Sequence, residues 1–150
     1  MTNPLSTMAL AAAVLTVAFV WLTARTVRLP TTSHERLIAE LRMTQLGSLV
    51  LVLVAGAYVG FAAWQDTRLG VGLDVALALG FLAIAFTTLT RDPRQGLILL
   101  AVAFATHALL DVVHRPGWLP AGMAPRWYAV GCAWFNVALG ACCYLPVLRR

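Results

Sequence analysis

The chain has 150 residues, of which 61% are hydrophobic and 11% charged, and its mean hydropathy is +0.82. That composition excludes a soluble domain of ordinary make-up. The net charge is +5; with no basic-aromatic patch in the sequence, it reads as membrane topology and attraction to anionic lipid headgroups, not as nucleic-acid binding.

Five apolar runs lie near 5–24, 43–64, 70–90, 96–114 and 127–148. Each has about the 20 residues that a bilayer-spanning helix needs. Together they take up most of the chain, so the expected fold is an all-α integral membrane protein, a single five-helix bundle over 1–150. Every basic residue is an arginine. Arg25, Arg28, Arg36, Arg42, Arg91, Arg94, Arg149 and Arg150 fall on one side of the alternating spans, and Arg68, Arg115 and Arg126 on the other. The arginine bias places the N-terminus outside and the C-terminus in the cytoplasm. The expected location is a multi-pass position in a bacterial inner or plasma membrane. No basic residue precedes the first run, which reads as a retained anchor and not as a cleaved signal.

In the first span, Thr16 and Thr23 are expected to return their hydroxyls to their own helix backbone, and Trp21 to sit at the inner interface. Leu29-Pro30-Thr31-Thr32-Ser33 breaks the chain. Thr32 with Glu35 has the spacing of a capping box, so a second helix starts there, ahead of the membrane. Arg36 and Glu40 stand four apart on it and pair on one face; His34 at its start reads as solvated. Further on, Gly56-Ala-Tyr-Val-Gly60 flattens one helix face. The expected use of Gly56 and Gly60 is close packing inside the bundle, with homo-oligomer contact as the alternative.

The third span opens with Gly70-Val-Gly72-Leu-Asp74, and the face that follows Asp74 is Ala78, Phe81, Ala85 and Thr88. Asp74 either caps the helix start or faces the bundle. Arg91-Asp92-Pro93-Arg94 is a short inner turn that opens span four with a proline. The stretch from Arg115 to Arg126, rich in proline and glycine, is an outer loop. Cys132, Cys142 and Cys143 all fall in the fifth span, where an odd thiol count with an adjacent pair argues against a disulfide framework.

Span four carries His107-Ala-Leu-Leu-Asp111-Val-Val-His114. Titratable groups in hydrocarbon are expensive and usually face a bundle interior. At 100° per residue, Asp111 lies about 40° from His107 and His114 about 20° the other way, so the three share one stripe. Leu100, Ala103 and Gly96 continue it inward. On span five, Tyr128, Cys132, Asn136 and Cys143 share a face, antiparallel to span four and adjacent to it. The convergent set is therefore His107, Asp111 and His114, supported by Asp74, Tyr128, Cys132 and Asn136, in the outer half of the bundle.

Three roles are open to this set. It is interhelical polar glue, with Asp111 also paired to Arg115. It is a site for a transition metal, zinc, copper or iron, on two imidazoles and a carboxylate. Or it is a proton path, or an acid–base site for a lipophilic substrate. The trio resembles the copper-binding carboxylate and histidines in the membrane subunit of particulate methane and ammonia monooxygenases. That family places the acid before both histidines, whereas Asp111 lies between His107 and His114, so no site residue carries over. The count of five helices resembles the tryptophan-rich sensory proteins, but their Trp-Pro motifs are missing from this chain. The functional expectation is a small membrane protein with a His/Asp pocket that binds a metal ion or relays protons. Its alternative is an accessory subunit of a larger membrane complex, and its expected partners are lipids and a homo-oligomeric or complex partner.

Overall fold

The computed structural model describes residues 4–64, 71–113 and 126–149. Five helices make up this part: α1 (Pro4–Arg28), α2 (His34–Trp64), α3 (Val71–Leu89), α4 (Pro93–Val113) and α5 (Arg126–Leu148). All five are long and apolar enough to cross a membrane, and no strand occurs among the described residues. The outward faces carry large apolar side chains such as Leu10, Val17, Leu53, Phe86, Val102 and Trp134. Water would penalise that surface and acyl chains would not.

α2 is capped by Ser33, not Thr32. The Ser33 hydroxyl accepts from Arg36 N at 3.2 Å and itself donates to Pro30 O at 3.0 Å. Three hydroxyl residues in a row leave a one-residue ambiguity that only the backbone geometry resolves. His34 is exposed, as expected. At the start of α4, Asp92 accepts from Arg94 N and Gln95 N, both at 3.1 Å, and Pro93 takes the first helical position.

The packing partners follow from the ends. α4 lies along α5 and α2 along α3, α2 and α3 both touch α4, and α1 sits outside against α5 and α2. The ends of α1, α3 and α5 and the starts of α2 and α4 meet at one pole. There Arg36 is buried. Its Nε donates to Glu40 at 2.9 Å, Nη1 to Leu29 O at 3.1 Å, and Nη2 to Pro146 O at 2.7 Å and Arg149 O at 2.9 Å. Arg94 Nη2 donates to Val147 O at 2.9 Å. Two guanidinium groups therefore close the carbonyl end of α5, where a cation also meets the negative end of the helix dipole.

Thr16 does return its hydroxyl to Ala12 O at 2.8 Å. Thr23 does not: it crosses to α5 and donates to Cys142 O at 3.2 Å. Pro146 explains this. It has no N–H to give to the carbonyl four residues earlier, which is that of Cys142. Thr23 supplies the missing donor and ties α1 to α5.

Close approach between helices uses glycines other than Gly56 and Gly60. A Cβ added at Gly56 or Gly60 meets nothing within 4 Å, so this strip of α2 faces outward and the expected internal packing is corrected. The bundle instead closes on Gly47, Gly96 and Gly140. A Cβ at Gly96 would stand 2.6 Å from Thr44 Cγ2 and 3.1 Å from Thr88 O. Thr44 has little freedom to give way, because its hydroxyl is shared between Glu40 O and Pro93 O, each at 3.0 Å. Gly96→Ala is expected to destabilise the bundle by about 1–3 kcal/mol, despite alanine's better helix propensity. Gly60→Ala is expected to leave the fold unchanged or slightly firmer. Detergent-titrated unfolding followed by circular dichroism separates the two.

Candidate metal centre

Helices α3, α4 and α5 present their faces in phase. α3 buries Asp74, Ala78, Phe81, Ala85 and Thr88. α4 buries Gly96, Leu100, Ala103, His107 and Asp111, and α5 buries Cys132, Asn136, Cys142 and Cys143. His107 is 1% exposed and Asn136 0%. One donor atom from each of His107, Asp111 and Cys132 lies within 4.8 Å of the other two.

His107 Nδ1 stands 3.2 Å from Asp111 Oδ2 across one helical turn. A carboxylate that is ionised only accepts; in that form of the pair a neutral imidazole donates through Nδ1 and carries its lone pair on Nε2. Nε2 is buried and has no hydrogen-bond partner among the described residues. Asn136 holds the α5 side. Its Nδ2 donates to Cys132 O at 2.8 Å and to Cys132 Sγ at 3.1 Å, and lies 3.4 Å from His107 Nδ1. The first of these bonds fixes which way the amide points. It leaves Asn136 Oδ1 buried without a partner as well.

α2 adds a residue that sequence reasoning missed. The Tyr58 hydroxyl donates to Asp111 Oδ1 at 3.3 Å, and its ring lies 5.0 Å from the His107 ring. Phe81 from α3 closes the other approach with ring centroids 4.8 Å apart. His107 is therefore bonded to an acid of its own helix, flanked by aromatic rings from α2 and α3, and neighboured by the Asn136 amide of α5. Tyr58 sits between Gly56 and Gly60, on the opposite face of α2 from the two glycines. The available signal was the stripe Glu40, Thr44, Ser48, Leu51, Ala55, which reaches Tyr58 at helical spacing.

The remaining expected residues divide. Tyr128 is half-buried, its ring edge-on to Phe61 at 4.8 Å, and it borders the Cys132 thiol. Asp74 is buried at the start of α3, but its carboxylate is not part of the group that His107, Asp111 and Cys132 form. His114 and Arg115 lie outside the described residues. Among the described residues the geometric trio is thus His107, Asp111 and Cys132.

Fold and cluster together define the class: a five-helix apolar bundle with a buried His–Asp–Cys group. No protein-family model matches the chain, nor does any curated protein or solved structure.

Proposed function

We propose that the chain is a multi-pass membrane protein, its arginine-rich pole in the cytoplasm, whose His107–Asp111–Cys132 cluster binds one divalent transition-metal ion. The observation that carries this reading is the buried convergence of three donors within 4.8 Å. Nitrogen, oxygen and sulfur donors together suit an ion of the zinc class. Bond lengths of 2.0–2.3 Å put neighbouring donors roughly 3.3–3.8 Å apart around a tetrahedral ion. The three donor atoms lie within 4.8 Å of one another, so the trio needs to contract by about 1 Å to meet that spacing. Asn136 Nδ2 is placed to donate to the Cys132 sulfur once it becomes a thiolate, which is the outer support such ligands need. Three protein donors leave a fourth position for an exchangeable ligand, water or a lipophilic molecule with an oxygen or nitrogen donor. The ion displaces the thiol proton, so binding is expected to weaken as pH falls.

The test uses the full chain in detergent with Co²⁺ as probe. Wild type is expected to show a thiolate-to-cobalt charge-transfer band that Cys132→Ser removes. Absence of the band with wild-type protein, together with clean elemental analysis, would overturn metal binding. If His107→Gln then still altered a pH-dependent signal in liposomes, the same groups would instead be handling protons. A second reading, an accessory subunit of a larger membrane assembly, draws on the open Gly56–Gly60 strip. It requires that Gly60→Leu change the oligomeric state or co-purifying partners under mild solubilisation.

A further inference from the structure

The buried polar groups of the inner helices fall into two layers. One layer lies toward the arginine pole. There Thr44 donates to Glu40 O, Ser48 donates to Thr44 O, and the Ser48 and Thr88 hydroxyls bond to each other. The other layer is the His107 cluster. Between the two, no hydroxyl, amide, imidazole or charged side chain is buried on α2, α3, α4 or α5 among the described residues; the Cys142 and Cys143 thiols of α5 are the buried heteroatoms there. Ser48 and Tyr58 are about 15 Å apart along α2, and Thr88 and Phe81 about 10 Å along α3. Leu51, Leu97, Leu100, Phe104 and Leu139, all 0% exposed, fill the space. The packing is tight: a Cβ at Gly47 would stand 2.7 Å from Leu100 Cδ1. An ion crossing such a layer would shed its hydration against apolar side chains, with only the buried Cys142 and Cys143 thiols of α5 to replace it.

The opposite direction is short. His107, Tyr58 and Cys132 each stand fewer than two turns from the last described residue of their helix toward the other pole, at Val113, Trp64 and Arg126. That distance is about 9 Å. Half-buried Tyr128 lies on this side, as does the Asp74 carboxylate, two turns beyond Phe81 on the same face of α3. Both acids of the inner helices' polar face beyond the apolar layer, Asp74 and Asp111, therefore lie between the cluster and this pole or within the cluster itself, where they favour a cation.

We propose that the cluster loads and releases its ion at one face of the membrane only, the face where α2 and α4 end, and that the protein is not a conduit across the bilayer. This rests on the metal-binding reading. A one-sided site suits an ion-dependent catalyst or sensor facing that compartment and does not suit a transporter.

The experiment reconstitutes the full chain, carrying a protease-cleavable C-terminal tag, into liposomes in mixed orientation and adds Co²⁺ outside. The fraction of sites that develop the cobalt–thiolate band is expected to equal the fraction whose tag is protected. Detergent is then expected to load the remainder. Loading of every site from outside, loading of the tag-exposed fraction, or Co²⁺ reaching an entrapped dye would overturn one-sidedness. Failure of the band even in detergent would instead remove the ion site itself, and the inference with it.

Discussion

Arg36→Leu is expected to destabilise the bundle by about 3–5 kcal/mol, the range for breaking a buried ion pair by removing one partner. The guanidinium does four things at once. It neutralises buried Glu40, and it saturates the carbonyls of Leu29, Pro146 and Arg149. Leucine leaves a carboxylate in a site with 8% residue exposure and three carbonyls at helix ends without donors. Arg36→Lys keeps the charge but not the fork, because an ammonium has no planar array of donors to span Glu40, α1 and α5 together. It is expected to fall between wild type and Arg36→Leu. The double variant Arg36→Leu/Glu40→Leu removes the stranded charge and is expected to recover part of the loss. Detergent-titrated unfolding of the four proteins checks the order. Equal stability of wild type and Arg36→Leu would mean that the pair lies open to water and does not latch the pole.

Much of the site was legible because α3, α4 and α5 have polar or small residues to mark their phase. Asp74, Ala78, Phe81, Ala85 and Thr88 recur at helical spacing, and the structure buries those five. His107 and Asp111 share one stripe with Leu100 and Gly96 for the same reason. α2 is different. Apolar on nearly every side between Leu49 and Val54, it gives periodicity little to read. Gly56 and Gly60 mark a flat strip, but spacing alone does not say whether a strip turns inward or to lipid, and here it turns outward. Tyr58, one position away from neither glycine but between them, points the other way, into the cluster.

Tertiary donors were the other gap. Pro146 inside α5 announces a released carbonyl at Cys142. That the donor comes from Thr23 depends on where α1 docks, which no local pattern encodes. The Arg36–Glu40 pair was readable as an i, i+4 pair. Its burial was not, because that follows from the end of α5 folding over it.

Asp111→Asn is expected to weaken ion binding about 100-fold or more with the bundle intact. The amide has the carboxylate's shape, so its oxygen still accepts from Tyr58 and its nitrogen donates to His107 Nδ1, with the imidazole proton moving to Nε2. What is lost is the anionic donor. Altering the mere support of a metal ligand costs 10–100-fold in affinity, so loss of a ligand's charge is expected to cost about 100-fold or more. At an ion concentration of 100 times the wild-type Kd, linkage stabilises the wild type by about 2.7 kcal/mol and a variant bound 100-fold more weakly by only about 0.4 kcal/mol. Without ion, the two proteins are expected to unfold at nearly the same detergent concentration. The comparison divides the two roles open to Asp111. Equal stabilisation by the ion in both proteins would remove the carboxylate from the coordination set. A variant already destabilised before any ion is added would make Asp111 a strut between α2 and α4, with the Tyr58–Asp111–His107 contacts as the reason it is buried there.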